Sequence, residues 1–173
     1  MMRALFIPFA LLVSGGLTAC GFSPMHATAD AEAPLANMNV QMEKGPSVVD
    51  NQAGFFVTQR LRDRIGVSPE TSLYTLNIEP SYRRSRLGLT VGDVASRYDI
   101  TVTAKWDLIE TATGKSLKKG RTSSVVTFGA PSGPYGVITA DNVGVEQAAK
   151  ETADKLVVEI AKLYAKKKSR SEK

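Results

Sequence analysis

The sequence predicts an α+β domain: a two-layer sandwich of two helices on one face of a four-stranded, mainly antiparallel sheet, in the order β-α-β-β-β-α. Three observations carry this. Four segments alternate apolar and polar residues, the mark of half-buried strands. Two other segments repeat apolar residues every three or four positions, the mark of one-sided helices. One apolar sheet face and two one-sided helices bury each other as two layers. The other sheet face is then left polar and uncovered, which antiparallel sheets tolerate.

The first strand is read over Asn37 to Glu43, where Met38, Val40 and Met42 alternate with polar neighbours and Lys44-Gly45-Pro46 ends the run. Ser47 and Asp50 are candidate caps for a helix running to about Ile65. Its stripe is Ala53, Val57, Leu61 and Ile65, widened by Phe56, and Gly66 and Pro69 stop it. The second strand is expected from Leu73 to about Tyr82, with Pro80 marking an edge or bulge at its end. Arg83 to Gly92, polar and glycine-punctuated, reads as a hairpin connection. The third strand, Val94 to Leu108, alternates most cleanly: Tyr98, Ile100, Val102, Ala104, Trp106 and Leu108 share its apolar face. Thr111-Ala112-Thr113-Gly114 is a turn with glycine at the position of positive φ. The fourth strand, Ser116 to Phe128, alternates weakly, with Gly120, Thr122 and Ser124 along it. Gly129 to Gly136 reads as a loop, and a long helix follows from about Ala140 to Ala165, with Val145, Ala149, Thr152, Leu156, Ile160 and Leu163 as its stripe.

The N-terminus carries the sharpest motif. Arg3, an apolar run from Ala4 to Val13 and the small residues Ser14-Gly15-Gly16 are the n-, h- and cleavage regions of a secretory signal. Leu17-Thr18-Ala19-Cys20 is then a lipobox holding the chain's single cysteine. The apolar run is far short of the ~20 residues that span a bilayer. The expectation is cleavage before Cys20 and acylation there, with Gly21, in place of an aspartate, directing the product to the outer membrane. The domains expected are thus a signal peptide at 1–19, a lipidated tether at 20–35, one α+β domain at 36–166 and a flexible basic tail at 167–173.

Removing residues 1–19 from the 173 leaves 154, one domain's worth and long enough for a real core. With no further cysteine the fold rests on that core. The net charge of +5 hides local clusters at Arg83-Arg84-Ser85-Arg86, Lys118-Lys119-Gly120-Arg121 and Lys166-Lys167-Lys168. On a periplasmic protein these suit an anionic lipid or a polar protein rather than nucleic acid. Guanidinium forks match phosphate oxygens, so Arg83, Arg84 and Arg86 are read two ways: a solubilising hairpin tip, or a lipopolysaccharide-phosphate site. Tyr135, in the Gly/Pro loop, is the aromatic residue most suited to a partner contact.

Enzyme signatures are missing. The sole histidine, His26, lies in the tether, away from any triad or metal-site spacing. Ser123-Ser124 and Ser132-Gly133 fit no nucleophile elbow, and Gly88 and Gly92 open no phosphate loop. No catalytic residue, metal or cofactor is expected apart from the covalent lipid on Cys20.

Cys20-Gly21-Phe22-Ser23-Pro24-Met25 resembles the mature N-terminus of LptE, the lipopolysaccharide-assembly lipoprotein family, with His26 where that family carries a tyrosine. The β-α-β-β-β-α order and the Ala-rich closing helix, Gln147-Ala148-Ala149 through Ile160, look similar too, and the short chain resembles alphaproteobacterial members. The resemblance implies a non-enzymatic plug and assembly partner of the LptD β-barrel in the outer membrane, meeting lipopolysaccharide in transit. Two other classes stay open: an auxiliary or pilot lipoprotein of another envelope machine, and a solitary periplasmic lipid-binding lipoprotein, which would need an internal apolar cavity.

Overall fold

A computed structural model describes residues 38–66, 72–89, 95–130 and 133–171. The signal segment, Cys20, His26 and the whole of the expected tether lie outside the described residues, as do Pro69 and Gly92. The elements run β1 (Met38–Met42), α1 (Val48–Ile65), β2 (Tyr74–Leu89), β3 (Ala95–Glu110), β4 (Ser116–Gly129) and α2 (Pro134–Ser171). The strands lie side by side in chain order, β1 parallel to β2 and the other neighbours antiparallel. The α+β order read from the sequence is the one observed, with both helices on one sheet face.

The start of α1 is held by a capping box. Ser47 Oγ accepts from Asp50 N at 3.1 Å and Ser47 N donates to Asp50 Oδ2 at 3.1 Å. The second oxygen of Asp50 accepts from Tyr82 N at 2.6 Å, so the cap also fastens the helix to β2. At the other end Gly66 adopts φ 84° and its N–H reaches Arg62 O at 2.9 Å. Pro80 is explained by the same neighbourhood. Strand β1 ends opposite Ile78, so β2 has a free flank at Pro80, where a residue without an N–H costs no ladder bond. Tyr82 N points out of that same flank two residues on, and Asp50 supplies its acceptor.

The core lies between the layers. Ala53, Val57 and Leu61 of α1, Leu76 and Ile78 of β2, Ile100, Val102 and Ala104 of β3, and Ala149, Leu156 and Ile160 of α2 are fully buried. Thr152 joins them at the cost of no loose hydroxyl: its Oγ1 donates to Ala148 O at 2.7 Å and lies 3.1 Å from Val102 O across the layer. The two helices run side by side from the Tyr82 level of the sheet toward its Tyr74 end. At the first level Asp141 meets Tyr82, and at the second Tyr164 packs edge-on to Tyr74, centroids 5.7 Å apart.

Three boundaries differ from the sequence reading. Arg83 to Leu89 is not a hairpin connection but the second half of β2, paired with β3 from Thr101 to Ala95. The arginines therefore do not sit on a hairpin tip. Polar side chains on both faces erase the alternation that marks a strand, and only the partner strand specifies it. The last helix begins at Pro134, not near Ala140, because proline suits the first helical turn, where its missing N–H is no loss. It also runs on past Ala165 to Ser171.

Candidate functional site

Strand alternation splits the arginine cluster between two faces. Arg84 and Arg86, opposite Ile100 and Tyr98, belong to the helix-side row. Arg83, opposite Thr101, belongs to the uncovered face. The three are thus neighbours in sequence but not one fork-lined site.

Around Arg84 the helix side is well built. Its guanidinium stands 5.5 Å from the Tyr98 ring centroid, and Tyr98 in turn stacks on Phe128 at 5.5 Å and 24°. Arg84 Nη1 is 3.5 Å from Asp141 Oδ1, and Tyr82 donates its hydroxyl to the same oxygen at 2.9 Å. Burial, then the bond to Asp141, pushes the Tyr82 phenol up to about 12. Arg84 is still 39 % exposed at its side chain, so one side of the guanidinium remains open to an anion. Arg86, one pair nearer the strand end, is exposed and carries no ion pair among the described residues. Asp141 is the residue sequence reasoning missed: it sits 57 positions from Arg84, beyond a loop, and no local signal joins them. Tyr135 lies at this end of the sheet in the first turn of α2, 85 % exposed.

The uncovered face is the larger feature. Its rows carry the hydroxyls of Ser81, Thr101, Thr103 and Ser123 at the centre. Cross-strand pairs flank them: Lys105 to Glu79 at 2.8 Å and Lys119 to Asp107 at 3.1 Å. Thr127 donates to Asp99 at 2.6 Å farther along. Val125, 52 % exposed, is an apolar residue among them. Such a face makes many polar contacts with water or with a hydrated wall and none that needs a dry core.

Along the β4 edge an open groove of about 520 Å³ is lined by Arg121, Thr122, Lys155, Glu159 and Lys162. Glu159 is occupied there: Thr122 donates to it at 2.5 Å while accepting from Trp106 Nε1 at 3.1 Å. Lys155 Nζ lies 3.2 Å from Ser123 O and covers part of the strand edge. Among the described residues there is no cluster of His, Cys, Asp or Glu able to hold a metal, and no helix long and apolar enough to cross a membrane. Cys20, the residue expected to be acylated, lies outside the described residues.

No family model matches the chain, and no curated protein matches it significantly. Solved structures do. A protein from Caulobacter crescentus CB15 classed as a lipoprotein is 26 % identical, with a TM-score of 0.62 over 78 % of this chain and 95 % of that one. Rare lipoprotein B from Shewanella oneidensis matches at 13 % identity, with a TM-score of 0.54 over 76 % of this chain and 98 % of that one. A minor lipoprotein from Acinetobacter baumannii matches at 13 % identity, with a TM-score of 0.55 over 75 % and 93 %. The fold of this chain is one that bacterial lipoproteins use.

Proposed function

We propose that this chain is a non-enzymatic outer-membrane lipoprotein of LptE type. Acylated on Cys20, it fills the hydrated lumen of an LptD-type β-barrel, helps that barrel assemble and serves lipopolysaccharide transport to the cell surface. The observation that carries this reading is the uncovered polar sheet face of β2, β3 and β4. A domain that buries one sheet face under helices and leaves the other lined with hydroxyls and charged side chains suits a wet enclosure. The lipobox, the Cys-Gly-Phe-Ser-Pro-Met start and the likeness of the fold to bacterial lipoproteins support it. Within the complex, Arg84 and Arg86 are the residues placed to meet lipid A or core phosphates.

The test is affinity purification of the tagged protein from outer membranes in mild detergent, with crosslinking before lysis. A stoichiometric complex with one large β-barrel is expected. Protein that runs alone at its own mass, with no barrel crosslinked, overturns the plug reading.

A further inference from the structure

We infer that the C-terminal end of α2, with the first residues of β4, forms a docking surface for anionic phospholipid headgroups, at the end of the domain where the chain enters β1. The inference rests on the lipid-anchor part of the proposed function and adds the orientation of the anchored domain.

The geometry begins at Met38, which pairs with Tyr74 at the start of β2. Strand β1 therefore begins at the Tyr74 end of the sheet. Helix α2 reaches that same end at Tyr164 and keeps going, its helical backbone continuing to Ser171. Seven more residues carry it roughly 10 Å farther. This extension holds Lys166, Lys167, Lys168 and Arg170 and no acidic residue. The β3–β4 turn is also at this end, because Glu110 lies opposite Tyr74, and it adds the exposed side chains of Lys115 and Lys118. The acidic side chain closest to them in the turn, Glu110, accepts from Thr113 at 2.6 Å.

The length of the tether does not choose an orientation by itself. Seventeen residues separate Cys20 from Met38, and extended they reach about 60 Å, comparable with the ~50 Å of the 16-residue β2. Charge chooses. Each basic residue near an anionic bilayer surface strengthens binding about fivefold, and the attraction fades within a Debye length. The extension lies at the end where the chain enters β1, so anchoring keeps it within reach of the surface and the cluster adds the contact that orients the domain. Arg84 and Arg86 are 10 and 12 residues up β2 from Tyr74, some 34–41 Å away. Docking of the basic end turns them away from the membrane that holds the lipid.

The test uses the full chain carrying Cys20→Ser, so that no acyl chain contributes. Vesicles of phosphatidylcholine are compared with vesicles of phosphatidylcholine and phosphatidylglycerol at 7:3, by flotation at 50 and 500 mM NaCl. Binding by the apolar N-terminal segment is common to both vesicle types and to every variant. Expected is much tighter binding to the anionic vesicles at low salt, largely lost at high salt. Lys167→Gln, Lys168→Gln and Arg170→Gln together should weaken it about a hundredfold at 50 mM NaCl, with unchanged circular dichroism. A charge-matched triple at the other end, Arg83→Gln, Arg86→Gln and Arg97→Gln, should change it by no more than a few-fold. Equal binding to both vesicle types overturns the inference, and so do equal losses in the two triples, which would mean net charge alone is read. The assay contains no barrel and no acyl chain, so its outcome and that of the plug test are independent.

Discussion

Trp106 shows how one residue fixes a register. Its indole lies over Gly120 on the neighbouring strand, where a Cβ would come within 2.6 Å of Cε2. Its Nε1–H reaches Thr122 Oγ1, so the ring is buried without a loose donor. Trp106→Ala should cost about 3–5 kcal/mol in equilibrium unfolding. Gly120→Val should approach that loss by expelling the same ring, whereas Lys105→Ala on the uncovered face should change stability little. Tyr82 offers a pH test. Its folded pKa is raised to about 12 from the ordinary 10, so its contribution is complete below pH 10 and is lost as pH rises through 12. Tyr82→Phe should flatten that part of the alkaline limb, and an unchanged limb would show that other groups set it. The arginines divide likewise. Arg84→Ala with Arg86→Ala should weaken lipopolysaccharide binding in a salt-sensitive way. Arg83→Ala, on the opposite face, should leave it within about twofold, given that single exposed charges are largely screened.

At the scale of elements, the caps and clamps decide what was legible. Helix α1 was readable because its signals are local: Ser47 and Asp50 precede a four-residue repeat, and Gly66 follows it. What no local signal shows is that Asp50 also holds Tyr82 N. Ser47→Ala should therefore cost about 1 kcal/mol, while Asp50→Ala, which also strands a partly buried N–H, should cost about 2–3 kcal/mol. If urea titration gives the two the same loss, the link to β2 contributes nothing. The far half of β2 escaped the sequence reading for the converse reason. Arg83 to Leu89 has polar residues on both sides, and its strand character comes wholly from pairing with β3. The helix pair was legible as two stripes, but not its clamp, Arg60 and Arg64 on Asp154 at 3.0 and 2.9 Å. Burial alone would raise the Asp154 carboxyl, yet the hydrogen bonds from Arg60 and Arg64 outweigh it and hold it below its ordinary value. That contribution is present above the unfolded carboxylate range and is lost as pH falls below it.

For the whole molecule, the two faces of the sheet make different demands on a partner. The helix-covered face is closed by its own core, so α1 and α2 would show the proposed barrel only their outer sides. The uncovered face shows Thr101, Thr103, Ser81 and Ser123 directly, flanked by two charge pairs and by the exposed Arg83 beside Thr101. Pairing matters, because an unpaired charge against a lumen wall would have to find its partner there or stay hydrated, whereas Lys105–Glu79 and Lys119–Asp107 present themselves nearly neutral. Hydroxyls can donate and accept, which lets them match inward-facing polar residues of a barrel directly or through water. A photoreactive residue at Thr103, at the middle of this face, should therefore crosslink to the barrel in high yield in native membranes. The same probe at Lys150, on the outer side of α2, should give less, and the Thr103 adduct should fall when the face is disrupted by Thr101→Trp, which puts a bulky ring beside it. The measurement is the fraction of protein shifted to barrel-adduct mass. Equal yields from both positions would mean that the domain sits loosely in its partner and that the uncovered face is merely solvated. An adduct from Lys150 alone would reverse the proposed orientation, placing the helices against the wall and the hydroxyl rows toward the open lumen.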